Sequence, residues 1–184
     1  MSWQLVRLAQ VRPEPWHNGA GVTRELLALP QGTDWTLRLS VAEVAQDGPF
    51  SRLAGVRRWF AVLSGQGVRL RVDGRTHTLG VQSPAFEFDG AAHTDCELAG
   101  GATSDFNLML RQGNARMQRV RGACSRTCRA AVLVAVYANG HPATASWNSE
   151  AVEIPPNTLA WRILDSDGLV QLAGDDALWM EIDQ

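Results

Sequence analysis

The chain's dominant pattern is the short alternating strand. Nowhere do apolar residues recur at helical spacing over three turns, whereas about a dozen short runs alternate with a period of two and stop at turn residues. That period sends successive side chains to opposite faces of a sheet. Residues 35–44 are the clearest case, with Leu37, Leu39 and Val41 on one face and Arg38, Ser40 and Ala42 on the other. Residues 58–63, 68–72 and 105–111 repeat the texture, and Asp47-Gly48-Pro49, Gly65-Gln66-Gly67, Asp73-Gly74 and Asn139-Gly140 punctuate it. Such a pattern predicts an all-β sandwich or barrel.

At 184 residues the chain is long enough for one large domain or two small ones. Residues 59–65 and 132–140 are both apolar strands entering glycine turns. Each is followed by a shorter polar strand and a proline-containing turn (Ser83-Pro84, Pro155-Pro156). The echo predicts two similar β units, 1–113 and 114–184, a division compatible with strands exchanged between the two. In the second unit, strands are expected at 117–121, 130–138, 158–164, 169–172 and 178–182, with turns at 124–126 and 165–168.

A net charge of −2 and a pI near 6.1 give no global preference for nucleic acid or an anionic membrane. The first twenty residues contain Arg7, Arg12, Pro13 and Glu14, so no secretory signal is expected, and no apolar run reaches the roughly twenty residues that span a bilayer. The expected location is the cytoplasm. Cys96, Cys124 and Cys128 make an odd count without a zinc-type pairing, which fits free thiols in a reducing compartment.

The richest chemistry lies in Pro15-Trp16-His17-Asn18-Gly19-Ala20-Gly21-Val22-Thr23-Arg24-Glu25. Its glycines permit positive φ and close backbone approach, and its polar side chains suit the rim of a pocket or, equally, a solvated hairpin. A catalytic set is harder to find. No Gly-x-Ser-x-Gly occurs, and Glu87 and Asp89, though like-facing, fit a solvated strand end better than acid/base work.

Four separated segments resemble the HutD/Ves family of bacterial proteins: the stretch just quoted, Arg38-Leu39-Ser40-Val41-Ala42-Glu43-Val44, Asp47-Gly48-Pro49-Phe50-Ser51, and Asp105-Phe106-Asn107-Leu108-Met109-Leu110-Arg111. The resemblance is sharp to about residue 111 and general beyond. It implies a bicupin, two fused jelly-roll-like cupin-type β-barrels. It also implies a part in bacterial histidine utilisation, the route from histidine through urocanate and formiminoglutamate to glutamate, as a modulator rather than one of its enzymes. Leu37 and Arg57 depart from the family pattern, in which a tryptophan and an acidic residue are common.

Many cupins hold a metal with a His-x-His pair. Here the matching stretch offers Arg69 and Arg71, which cannot ligate a cation, and His17, His77, His93 and His141 are dispersed. The expectation is a metal-free, cofactor-free protein. If the polar faces of 38–40 and 107–109 look into one barrel, the groups suit a small anionic metabolite, a carboxylate held by arginine. The predicted ligand-binding set is Trp16, Asn18, Gly19, Thr23, Arg24, Arg38, Ser40, Phe50, Asn107 and Met109. The competing arrangement puts Arg38 and Ser40 on a wet outer face, and alternation alone does not choose. Glu25 is the internal acid expected to pair with a buried arginine if no ligand does. Competing functions are a metal-independent enzyme acting on such an acid, and a protein–protein modulator whose partner is a second copy of the chain or a pathway protein.

Overall fold

The computed structural model describes residues 2–183 and contains no α-helix among them. Its strands are β1 (Gln4–Arg7), β2 (Glu14–Pro15), β3 (Gly21–Leu29), β4 (Leu37–Val44), β5 (Gly48–Pro49), β6 (Arg57–Ser64), β7 (Val68–Val72), β8 (Arg75–Leu79), β9 (Phe86–Asp89), β10 (Thr94–Leu98), β11 (Thr103–Leu110), β12 (Asn114–Cys128), β13 (Leu133–Ala138), β14 (Ala143–Trp147), β15 (Glu150–Ile154), β16 (Thr158–Ile163) and β17 (Gly168–Asp183). A single 3₁₀ turn covers Leu8–Gln10. No helix among the described residues is long and apolar enough to cross a membrane.

The chain forms two compact units. One is Arg12–Gln112, and the other joins the segment up to Val11 with the chain from Gly113 onward. The N-terminal strand therefore lies with the C-terminal half: β1 pairs antiparallel with β16, Leu5 opposite Ala160 and Val6 opposite Leu159.

In the Arg12–Gln112 unit, a six-stranded sheet in the order β2-β3-β4-β11-β6-β9 faces a four-stranded sheet in the order β5-β10-β7-β8. Phe60, Val62, Val68, Leu70 and Cys96 pack together in the apolar core of this unit. The central strands β4, β11 and β6 are buried on both faces: Leu37, Leu39 and Leu108 are buried, and so are Ser40, Asn107 and Phe60 on the opposite faces. Neither set faces open water, because central strands covered on both sides cannot show the one-wet-face alternation of an open antiparallel sheet.

The other unit is a seven-stranded, nearly closed sheet in the order β1-β16-β13-β17-β14-β15, with β12 along β17. β17 pairs with β13 through residues 177–182 and with β14 through residues 170–174, so one long strand serves both parts of the sheet. The turn expected at 124–126 is absent, and the separate strands expected at 169–172 and 178–182 are one. A bulge between Val120 and Gly122 bends the β12–β17 ribbon without breaking it, with Gly122 at φ +86°. Residues 124–126 themselves pair in regular register with residues 172–170 of β17. At the Gly65-Gln66-Gly67 reversal the glycines are obligatory, since Cβ atoms would sit 2.7 Å from Ala102 O and 2.5 Å from Leu79 O.

Trp3 packs against the apolar cluster that contains Val136, Trp147 and Trp179. Trp3→Ala should cost roughly 2 kcal/mol, read as a lower urea midpoint at unchanged m-value. A loss below about 0.5 kcal/mol would mean that the N-terminal segment adds nothing to this core.

Candidate functional site

The rim begins with the glycine corner. Asn18 Oδ1 accepts the amide of Ala20 at 3.0 Å, turning the chain, and Gly19 follows the turn at φ +69°. At Gly21 a Cβ would lie 2.3 Å from Glu43 O and 3.3 Å from the Trp16 ring, so only glycine lets β3 close on β4 under the indole. Trp16 Nε1 donates to Thr23 Oγ1 at 2.8 Å, which fixes the ring and leaves the threonine hydroxyl proton to point elsewhere. Phe50 meets Trp16 edge-on at 6.5 Å.

These residues stand over a cavity of about 460 Å³ inside the Arg12–Gln112 unit. Seven of the ten predicted binding residues line it: Trp16, Asn18, Thr23, Arg38, Phe50, Asn107 and Met109. Gly19, Arg24 and Ser40 do not. Gly19 shapes the turn. Arg24 points from the other face of β3, where it pairs with Glu43, because alternation sends it away from Thr23. Ser40 is buried in register between Glu25 and Asn107, outside the lining.

The central group of the cavity was not among the predicted residues. Arg58, on β6, is 6 % exposed and lines the cavity beside Phe60. Its Nη2 donates to Asn107 Oδ1 at 3.0 Å, and its Cζ lies 5.0 and 5.1 Å from the ring centres of Phe50 and Phe88. Nε is buried and has no acceptor, and among the described residues no carboxylate pairs with this guanidinium. Burial first, and the nearby Arg38 charge second, lower Arg58 to about 10, so it remains a cation at neutral pH. The sequence signal was present but faint: Arg58, Phe60 and Val62 share one face of a strand that is apolar from Trp59 to Leu63.

Arg38 differs from Arg58 in having a counter-ion. Its Nε is 2.8 Å from Glu25 Oε2, an ion pair, although the alignment is not that of a hydrogen bond. Asn107 gives its carbonyl to Arg58, which leaves its NH₂ as the group offered to a ligand. The cavity thus presents N–H and O–H donors and the uncompensated positive charge of Arg58 between aromatic and thioether walls, and the exposed Glu14 and His17 also line it.

A cupin-type metal does not fit these residues. The polar lining is mostly guanidiniums, amides and hydroxyls; Glu14 and His17, both exposed, are its one carboxylate and one imidazole, and no three His, Cys, Asp or Glu side chains cluster among the described residues. Arg69 and Arg71, at the metal-pair positions, point outward to Glu97 and Asp95, while Val68 and Leu70 face the core. Glu87 pairs with Arg57, and Asp89 accepts the Ala91 amide in a turn, so both serve the strand end.

The family model for HutD matches residues 8–184. The chain belongs to the HutD family. A Pseudomonas putida relative, the uncharacterized 21.2 kDa protein in the hutC 3′ region, is 36% identical over 142 residues, 75% of each chain, which links the family to a histidine-utilisation locus. Protein Ves of Cronobacter sakazakii is 34% identical over 166 residues, 84% of this chain and 88% of its own. HutD from Pseudomonas fluorescens SBW25 superposes with TM-score 0.86 at 26% identity, over 100% of this chain and 99% of its own. Salicylate 1,2-dioxygenase from Pseudoaminobacter salicylatoxidans shares the fold alone, with TM-score 0.64 at 8% identity over 98% and 81%. The HutD-family chain is a bicupin.

Deeper on the cavity face of β11, Asp105 is wholly buried. Burial raises it to about 7, partly offset by the Thr103 hydroxyl that donates to Oδ2 at 2.7 Å. The unfolded chain releases this proton near 3.8, so stability is greatest at the acid end of the window and falls as pH rises from about 4 to about 7. Asp105→Asn should remove that slope, gaining on the wild type by up to about 4 kcal/mol across the window in urea melts. Parallel pH curves would refute a neutral buried acid.

An uncompensated buried cation also predicts a cost in the ligand-free protein. Arg58→Met combined with Asn107→Leu should raise unfolding stability by about 1–3 kcal/mol. A destabilised double variant would show that the arginine is held for packing rather than for a ligand.

Proposed function

We propose that the cavity of the Arg12–Gln112 unit is a non-catalytic receptor for one small carboxylate of histidine breakdown, of the urocanate, formiminoglutamate or formylglutamate type, and that occupancy modulates the pathway. The observation that carries this reading is Arg58, a fully charged guanidinium out of water with no acid of its own, opening onto a cavity. An incoming carboxylate would supply the missing charge and accept from Nε, in a charge-assisted bond stronger than a neutral one. The Asn107 NH₂ and the Thr23 hydroxyl provide further donors for a formyl or formimino group, and Phe50, Phe60 and Met109 provide apolar walls. The volume lies within the range of small-molecule pockets. Arg38, already neutralised by Glu25, adds a donor more than a charge, so one carboxylate suffices. The hutC-region location of the P. putida relative supports the choice of metabolite class.

Thermal-shift and calorimetric titration with urocanate, formiminoglutamate, formylglutamate and glutamate tests the reading. Binding at one hundred times Kd should stabilise the fold by about 2.7 kcal/mol. Arg58→Ala should abolish the response, and Arg38→Ala should weaken it. Silence towards all four acids in the wild-type protein would defeat the proposal.

A further inference from the structure

The other barrel contains a guanidinium even further from water, and its coordination is half complete. Arg162, on β16, is 0 % exposed and shares its strand face with Ala160 and the following Leu164, both members of that unit's apolar core. Its Cζ lies 4.2 Å from the ring centre of Trp147 and 5.6 Å from that of Trp3. Nη1 donates to Glu150 Oε2 at 2.7 Å. Nε and Nη2 are buried with no acceptor among the described residues, and so are the indole N–H groups of Trp3 and Trp147. Four orphaned donors on three adjoining side chains, with no orphaned acceptor among them, call for an acceptor from outside the chain.

The pattern of orphans identifies its chemistry. In a planar guanidinium, Nε–H and one N–H of Nη2 are parallel along a single edge, the fork that takes both oxygens of a carboxylate. That edge is the one the protein leaves bare. Glu150 reaches only the Nη1 end, and its side chain is 55 % exposed at the first residue of β15, which pairs with β14 alone. Asp165 also lies close enough to feel the guanidinium's charge. The neighbouring polar cluster is different in kind: Glu181 accepts from Trp179 Nε1 at 2.9 Å and lies 3.4 Å from Arg126 Nε, so its acid and its donors already answer each other.

We propose that the C-terminal unit carries a second carboxylate-binding site, built on the bare Nε–Nη2 edge of Arg162 between Trp147 and Trp3, with Glu150 as an internal carboxylate that keeps the Nη1 end and competes with an incoming acid for the guanidinium's charge. The site is independent of the Arg58 cavity. The indole of Trp16 belongs to that cavity, and those of Trp3 and Trp147 to this one, so a single experiment reads both.

Formate is titrated into the 184-residue chain while the indole Nε1–H resonances are followed by NMR, assigned with Trp3→Phe, Trp147→Phe and Trp16→Phe. Saturable shifts of the Trp3 and Trp147 resonances are expected. Glu150→Gln, which weakens the internal competitor, should tighten that response at least tenfold, and Arg162→Lys, which keeps the charge and loses the fork, should abolish it. If Arg162→Lys does not fold, the Glu150→Gln titration decides the matter by itself. Trp3 and Trp147 resonances that stay still or drift without saturating, in both wild type and Glu150→Gln, would overturn the proposal and leave solvent at the fork. Movement of Trp16 alone would likewise rule out the Arg162 site while preserving the first cavity.

Discussion

Covering the β4–β11–β6 strands on both faces is the constraint on which the candidate site depends. A strand with one wet face can send its polar side chains to water, but these strands cannot. Every polar group on their inner side, from Ser40 and Asn107 to Arg58 and Asp105, must find a partner inside the unit or open onto the cavity. Most do so at least in part: Asp105 takes the Thr103 hydroxyl on Oδ2 and leaves Oδ1 without a partner among the described residues, Arg38 takes Glu25, and Asn107 takes Arg58. Arg58 keeps its buried Nε–H and one unit of charge unanswered. That residue of unmet hydrogen bonding is what gives the cavity a chemical preference.

Two strongly perturbed ionisable groups of this unit, Arg58 and Asp105, do not cancel. Burial pulls Arg58 down to about 10 and pushes Asp105 up to about 7, each toward its neutral form. Yet the arginine stays charged at neutral pH, and the acid's hydrogen bond is with Thr103. Had the carboxylate reached Arg58, the pair would have closed on itself and offered nothing to an anion. The sheet register prevents this: Asp105 stands opposite Val62, and Asn107 stands opposite Phe60, one step nearer Arg58.

The cupin-type barrel thus carries a different interior from one built for a metal. Where a metal site needs imidazoles on the inward face of a strand, this chain turns arginines outward to cross-strand acids and leaves Val68 and Leu70 inside. The chemistry moves to the opposite sheet and becomes one of N–H donation. Both barrels contain a deeply buried arginine braced by aromatic rings, Arg58 by Phe50 and Phe88, Arg162 by Trp147 and Trp3. A weakly hydrated, planar cation tolerates such surroundings better than an ammonium would.

Alternation and turn chemistry alone determined that the protein is all-β and where most strands lie, because period-two patterning and glycine or Asx turns are local properties. The same local reasoning placed Arg38, Asn107 and Met109 in the cavity once a family resemblance had singled out their segments. It misread residues 124–126 as a turn, since continuous pairing with residues 170–172 of β17 overrides their local preference. It also passed over Arg58, whose neighbours in the chain are an exposed arginine and a buried tryptophan and say nothing of Asn107, forty-nine positions away. Only the tertiary structure decided that these two meet, that Arg24 faces outward, and that the first strand joins the C-terminal sheet. Each of those outcomes depends on which strands lie side by side, and strand pairing is a long-range choice made by burial rather than by any residue's own preference.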